Sequence, residues 1–288
     1  MEKKLPKIDS SVQVRRNQAR NIYFEKALRE EQKGDFRKAL EFYRMSLQLD
    51  TQFFDSWLNA GAIYSRQGKT KKAIECYQRA LSSRIDKRVC YNLASEYFKI
   101  GSYEESKKLL TSAIKSDHRF LQAHLLLGYV FGKLGENEKS EISIKNALKI
   151  DPTNQPAMTA LALLYYHTSR PELALRYINI LLQRNPGDVT IGRLLANIEL
   201  DRGSTRASIK ALKEIAAQDP KLKSFYSSIS ESIPEKQLSD IRSQKNQKEN
   251  IKNKTAKDFF DLSLLAMFDG EPDKAMEYLL AASGDARH

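Results

Sequence analysis

The chain has 288 residues, 41% of them hydrophobic and 29% charged, and only two cysteines. This length supports a sizeable core, and the composition excludes both a membrane protein and a wholly disordered chain. No apolar run approaches the roughly 18 residues of a membrane-spanning helix, and the first twenty residues lack the apolar segment of a secretory signal. The net charge of +12 points to an acidic partner, whether protein, nucleic acid or membrane surface. Two cysteines make no disulfide framework, which fits a reducing compartment, and a cytoplasmic location is expected.

Residues 1–19 read as a basic arm whose later part joins the first helix; Pro6 and Ser10-Ser11 fall early in it. From residue 20 onward a short pattern recurs: a glycine, a small residue five positions on, an aromatic or aliphatic four later, then another small one. It appears as Gly34, Ala39, Tyr43 and Ser46, then as Gly68, Ala73, Tyr77 and Ala80. Gly101, Ser106, Leu110 and Ala113 follow, then Gly135, Ser140, Ile144 and Ala147. The fifth copy, with Ala174, Ile178 and Leu181, has Ser169 in place of the glycine, and Gly203, Ser208, Leu212 and Ile215 form the sixth. The small residues recur every 33 or 34 positions, and a last copy from Gly270 through Ala275 keeps the same period.

Each unit reads as two helices. Apolar residues before the turn have helical spacing, as at Trp57, Ala60, Gly61 and Tyr64. The turn glycine suits a left-handed cap, and Pro152, Pro186 and Pro220 follow the ends of second helices. Six tandem units are thus expected over 20–222. Over 223–255 the pattern fades: Phe225, Tyr226, Ile229 and Ile233 keep helical spacing, but Gln237 to Lys254 is almost wholly polar. A decayed repeat or Lys-rich linker and a helix formed on a partner are both open there. Residues 256–288 read as a final helix pair and tail.

Trp57, Ala60, Gly61, Tyr64, Gly68, Ala73, Tyr77 and Ala80 carry almost the whole signature of the tetratricopeptide repeat (TPR) family, which the chain closely resembles. The units depart from the consensus where Tyr23, Cys90, His124, Met158 and Gly192 take the Trp slot. The resemblance implies an all-α fold, a right-handed α-solenoid of helix-turn-helix repeats in which neighbours bury one another's apolar faces.

No enzyme chemistry is legible. His167 has no Cys, Asp or Glu at ligand spacing, so no metal set is expected, and His124 occupies a packing slot. Gly68-Lys69-Thr70 ends like a phosphate-binding loop, but Ile63 stands where such a loop needs its first glycine. Cys76 and Cys90 read as small core residues. No catalytic residue and no cofactor are predicted.

In the family, the first helix of each unit lines a concave groove. Carried over by position, this lining includes Asn59, Arg66, Arg88, Tyr91, Asn92, Phe98, Lys99, Tyr129, Lys133, Tyr166 and His167. Arg66, Lys99, Lys133 and His167 hold one place in four successive units and suggest a basic rail. Asn59 and Asn92 stand where peptide-binding members use an amide, which both donates and accepts hydrogen bonds. The family's carboxylate clamp for acidic C-terminal tails does not fit in either frame, because Phe24, Leu28, Leu58 and Ala62 fall on its polar slots. The expected function is a non-enzymatic scaffold or adaptor that binds an extended, acidic and partly apolar protein segment. The alternatives are nucleic-acid binding through the arm, the Lys-rich stretch and stacking aromatics, and a regulatory subunit of an enzyme complex.

Overall fold

The computed structural model describes residues 10–202, 211 and 235–285. All regular elements among them are α-helices. They are α1 (Ser10–Gln32), α2 (Phe36–Leu49), α3 (Phe54–Arg66), α4 (Thr70–Ser83), α5 (Lys87–Lys99), α6 (Tyr103–Ser116) and α7 (Leu121–Lys133). They continue with α8 (Asn137–Ile150), α9 (Gln155–His167), α10 (Pro171–Arg184), α11 (Val189–Asp201), α12 (Glu235–Glu249), α13 (Ala256–Phe268) and α14 (Pro272–Asp285). The chain falls into two compact units, Met1–Ala157 and Met158–His288. The sixth copy of the pattern from Gly203 on, with the exception of Ala211, and the Phe225–Ile233 run lie outside the described residues.

The turn inside each pair follows from one backbone motif. At the end of α3 the Lys69 amide donates to the Tyr64 carbonyl at 2.9 Å and the Gly68 amide to the Ser65 carbonyl at 3.0 Å. This pair of bonds satisfies carbonyls that the helix end would orphan, and it requires a left-handed residue, here Gly68 at φ 70°. Ser169 holds the same conformation at φ 56°, and the Arg170 amide still reaches the Tyr165 carbonyl at 2.8 Å.

Second helices present a narrow buried stripe. In α4 it is Ala73, Cys76, Tyr77 and Ala80, spaced three and four apart as one helix face demands. The stripe packs on the preceding first helix at very short range. A Cβ added to Gly61 would lie 2.6 Å from Tyr77 Cε1, and one added to Gly128 would lie 2.4 Å from Ile144 Cγ1. Where serine takes the small slot, it bonds across the gap: Ser106 Oγ donates to the Ala94 carbonyl at 2.8 Å and Ser140 Oγ to the Gly128 carbonyl at 2.7 Å.

Burial then runs from pair to pair. Ala27, Ala39 and Tyr43 of the first pair form one cluster with Ala60, Ile63 and Cys76 of the second. Val89 and Leu93 of α5 join Tyr77 and Ala80 of α4, and Leu127 and Val130 of α7 join Leu110 and Ala113 of α6. Cys76 and Cys90 are buried free thiols, and burial pushes the Cys76 thiol up to about 12. The first helix begins at Ser10, so residues 10–19 extend it, and two arginines of its early turns fasten on the end of α2. Arg20 pairs with Asp50 at 2.8 Å and Arg16 donates to the Leu49 carbonyl at 2.5 Å.

In the second unit, Tyr165 stacks on Tyr177 at 6.1 Å, joining α9 to α10. Further on, part of the faded stretch is the helix α12. One repeat period back from Ala275 lies Ile241, which puts Lys245 in the slot that Tyr43, Tyr77, Leu110, Ile144 and Ile178 fill elsewhere. Lys245 is 5% exposed, and its ammonium is clamped between Asp269 and Glu271 in the α13–α14 turn. Arg242 also pairs with Asp269, and Lys248 reaches Asp258 and Asp261 at 3.1 and 2.9 Å. Thr255 and Asp258 close a reciprocal capping box at the start of α13. The helix α12 is therefore attached to the last pair mainly by charge.

Two outcomes follow from this packing. Gly128→Val is expected to cost about 2 kcal/mol by overpacking against Ile144. Adding Ile144→Ala is expected to recover part of that loss, read as non-additive urea midpoints in a double-mutant cycle. For α12, burial pushes the Asp269 carboxyl up, but Lys245 and Arg242 outweigh it and hold it below its ordinary 3.8. The hydrogen bond from Lys245 holds Glu271 below 4.5. Burial lowers Lys245, yet its two carboxylates raise it above 10.5. The attachment is thus complete between the ordinary values of 4.5 and 10.5 and is lost as pH falls through the depressed carboxylate values. Amide exchange over 235–249, corrected for the intrinsic pH effect, is expected to rise on the acid side of that window while α3–α6 stays protected.

Candidate functional site: the first-helix face

In the first unit, α3, α5 and α7 carry the groove positions, and α5 contacts both of its neighbours α3 and α7. The residues that sequence position assigns to this face divide into two classes. Some are held by other side chains of the protein.

Arg66 lies 3.7 Å from Glu31 of α1, and the Glu31 carboxylate also accepts from the Tyr43 hydroxyl at 2.8 Å. Asn59 in turn donates from Nδ2 to Tyr43 Oη at 3.1 Å. Burial first, and then the Glu31 contact, push the Tyr43 hydroxyl well above its ordinary value, so it stays a donor. Arg66, Glu31, Tyr43 and Asn59 thus form one chain of contacts across the first two pairs.

Lys99 is held similarly. Its ammonium donates to Ser65 Oγ at 3.2 Å and to Glu96 Oε1 at 2.5 Å, and Ser65 itself donates to the same carboxylate oxygen at 2.6 Å. Glu96 is 1% exposed, and its Oε2 has no hydrogen-bond partner among the described residues. The slot it occupies holds Ile63, Val130, Leu164 and Ile198 in other repeats. A carboxylate among aliphatic residues depends on its cation, since an unpaired buried charge is costly. Arg88 is turned back toward the start of its own helix, with Nε 3.1 Å from Asp86 Oδ1. Burial pushes Asp86 up, but the Arg88 hydrogen bonds outweigh it and lower the carboxyl.

The second class is unspent. Asn92 is half-buried on α5, and its side-chain amide makes no hydrogen bond among the described residues. Tyr129 is 39% exposed on α7, and Lys133 at the end of that helix is exposed and makes no ion pair among the described residues. Half-buried aromatics frame them: Tyr91 packs on Phe120 at 5.3 Å and Phe98 on Tyr103 at 5.6 Å. In the second unit, Tyr166 bonds Asp201, which raises its hydroxyl, and the exposed His167 ring sits 5.3 Å from it.

Position alone missed Glu31, Ser65 and Glu96, which decide how many groove cations are free. Glu96 left a signal, as a charged residue in a slot that is aliphatic in Ile63, Val130, Leu164 and Ile198. Among the described residues there is no cluster of metal-ligating side chains, and no helix is long and apolar enough to cross a membrane.

Comparison with known proteins agrees with this geometry. The family profile described as tetratricopeptide repeat matches residues 54–83, 87–118, 121–154 and 159–222. Among curated proteins, the BBSome complex member BBS4 of Bos taurus is 25% identical over 154 residues, which cover 53% of this chain and 30% of that protein. The protein CTR9 homolog of Arabidopsis thaliana is 31% identical over 133 residues, covering 43% and 12%. The chain thus spans less than a third of either relative.

Among solved structures, a tetratricopeptide repeat protein from Parabacteroides merdae superposes with a TM-score of 0.63 at 17% identity, over 94% of both chains. YrrB, described as a TPR protein with an unusual peptide-binding site, gives 0.54 at 19% identity, over 59% of this chain and 87% of its own. Repeat register, turn chemistry, helix pairing and profile all converge: the chain belongs to the tetratricopeptide repeat family, an all-α fold whose repeats serve as a scaffold for protein–protein interaction.

Proposed function

We propose that the protein is a non-enzymatic adaptor that holds an extended, acidic and partly apolar segment of another protein along its first-helix face. The observation that carries this reading is the unspent set on α5 and α7. Asn92 offers an amide to a peptide backbone, Tyr129 an exposed ring to an apolar side chain, and Lys133 an unpaired cation to a carboxylate. Packed helices lie about 8–10 Å apart and an extended chain advances about 3.3 Å per residue, so successive helices meet roughly every third ligand residue. The focus of binding is then α5 and α7, with Arg66 and Lys99 shaping the groove through Glu31 and Glu96.

The ion pairs of the Lys-rich stretch weigh against nucleic acid as the partner. Arg242, Lys245 and Lys248 are engaged with carboxylates, and Lys254 donates to the Glu249 and Ile251 carbonyls. A cytoplasmic setting suits the two buried thiols.

A fluorescent ten-residue peptide of alternating glutamate and leucine is the direct probe. The triple variant Asn92→Ala, Tyr129→Ala, Lys133→Glu is expected to weaken it by about tenfold or more, since it removes a charge-assisted contact and an aromatic anchor. Its thermal midpoint is expected to match the parent chain, because none of the three side chains is fully buried. Binding undiminished in a folded triple variant would overturn the groove assignment.

A further inference from the structure

The first unit carries a second feature, built from the second helix α2 and the end of α3 with the turn that follows it. Between α2 and the α3–α4 turn lies an open pocket of about 420 Å³. Leu40 and the half-buried Tyr64 form its floor, and Arg37, Arg44 and Lys69 stand on its rim with Glu41. Arg37 leans toward Glu41 at 3.7 Å, and Lys69 donates to the Gln67 side chain at 2.8 Å. The Arg44 guanidinium makes no hydrogen bond or ion pair among the described residues, and neither does the Tyr64 hydroxyl, whose pKa burial raises; the Tyr64 ring has the Lys72 ammonium 5.6 Å from its centre.

The repeat supplies its own controls for this pocket. One period along, Gln78 replaces Arg44 and Tyr97 replaces Tyr64, and Gln78 Nε2 donates to Tyr97 Oη at 2.9 Å. The slot there is closed by a direct hydrogen bond. One period further, Lys107 stands where Leu40 does and bridges to Glu136 at 3.4 Å across the same junction. The third junction has Thr111 and Phe131 in the slots of Arg44 and Tyr64, so of the three only the first offers an unused guanidinium and an unused phenol together, above an apolar floor and beside two more cations.

From these contrasts we infer that the Arg44–Tyr64 pocket is a second protein-binding site, which takes a short acidic peptide segment with one apolar side chain among its carboxylates. The apolar side chain covers Leu40 and the Tyr64 ring. A neighbouring carboxylate accepts from the Arg44 guanidinium in the two-pronged geometry arginine favours, and from the Tyr64 hydroxyl. Arg37 and Lys69 then offset the remaining charge of the segment. The volume lies within the usual range for pockets that enclose a small ligand. This site shares no residue with the groove set: it lies on the first two repeats, and Asn92, Tyr129 and Lys133 lie on the third and fourth.

The test uses the full chain carrying the groove-disabling triple substitution, with labelled Glu-Glu-Leu-Glu-Glu as probe and Gln-Gln-Leu-Gln-Gln as its neutral counterpart. Residual binding of the acidic pentapeptide is expected, with at least tenfold weaker binding of the neutral one. Adding Arg44→Gln, which copies the closed junction at Gln78 and Tyr97, is expected to weaken the acidic probe about tenfold while the fold is kept. The converse variant Gln78→Arg is expected to open a second pocket and raise the stoichiometry. An unchanged dissociation constant for the acidic probe after Arg44→Gln would overturn the pocket. Loss of all probe binding on the triple substitution alone would overturn it too and leave the groove reading standing. Unchanged binding in the triple variant that Arg44→Gln then abolishes would support the pocket and count against the groove.

Discussion

Two helices can approach as closely as α3 and α4 only if one of them presents almost nothing at the crossing point. Gly61 against Tyr77 and Gly128 against Ile144 meet this condition, and the buried Ala39, Ala73, Ser106, Ser140 and Ala174 meet it from the second-helix side. Once the pair is that close, the aromatic or aliphatic residue four positions after the small one reaches past its own pair. It packs on the first helix of the next repeat. The small residue and the large one are therefore a single device: the first sets the spacing and the second uses it to carry burial along the chain.

The same device governs what the first-helix face offers. Because Tyr43 and Tyr77 project toward that face, their hydroxyls and the polar groups around them must be satisfied there. Glu31, Asn59 and Arg66 gather at Tyr43, and Ser65, Glu96 and Lys99 gather beside Tyr77. On α7 the slot of Glu96 holds the buried Val130, so no carboxylate stands beside Lys133, which is left free. The polarity of the core thus decides where the surface has charge to spare.

Helix pairs, turns and core slots are legible in the residues because each follows from a local need: a left-handed turn, a close crossing, a buried stripe. The groove cations are legible as positions but not as free charges. Arg66 and Lys99 read alike with Lys133 until the fold brings Glu31 and Glu96 to the first two, and those contacts join different helices or a residue in an apolar slot. The helix α12 is harder still. Its sequence has too few apolar residues to show a packing face, and its anchorage depends on Lys245 meeting Asp269 and Glu271 more than twenty positions away. Hydrophobic periodicity is blind to a helix held by charge. Where Ser169 replaces the turn glycine, the sequence departs from the pattern but the geometry does not, since the two backbone bonds hold a non-glycine residue in the left-handed region.

The clamp around Lys245 also bears on how the array carries load. Apolar interfaces between repeats resist separation over a broad area, since each increment of opening exposes more surface to water. An ion-pair junction resists steeply over the first ångström or two and then hardly at all, because Coulomb attraction collapses once water enters the gap. Tension applied through the last helix pair therefore meets a brittle link between α12 and the α13–α14 turn. Under such a load this junction is expected to part abruptly, where an apolar junction would yield gradually.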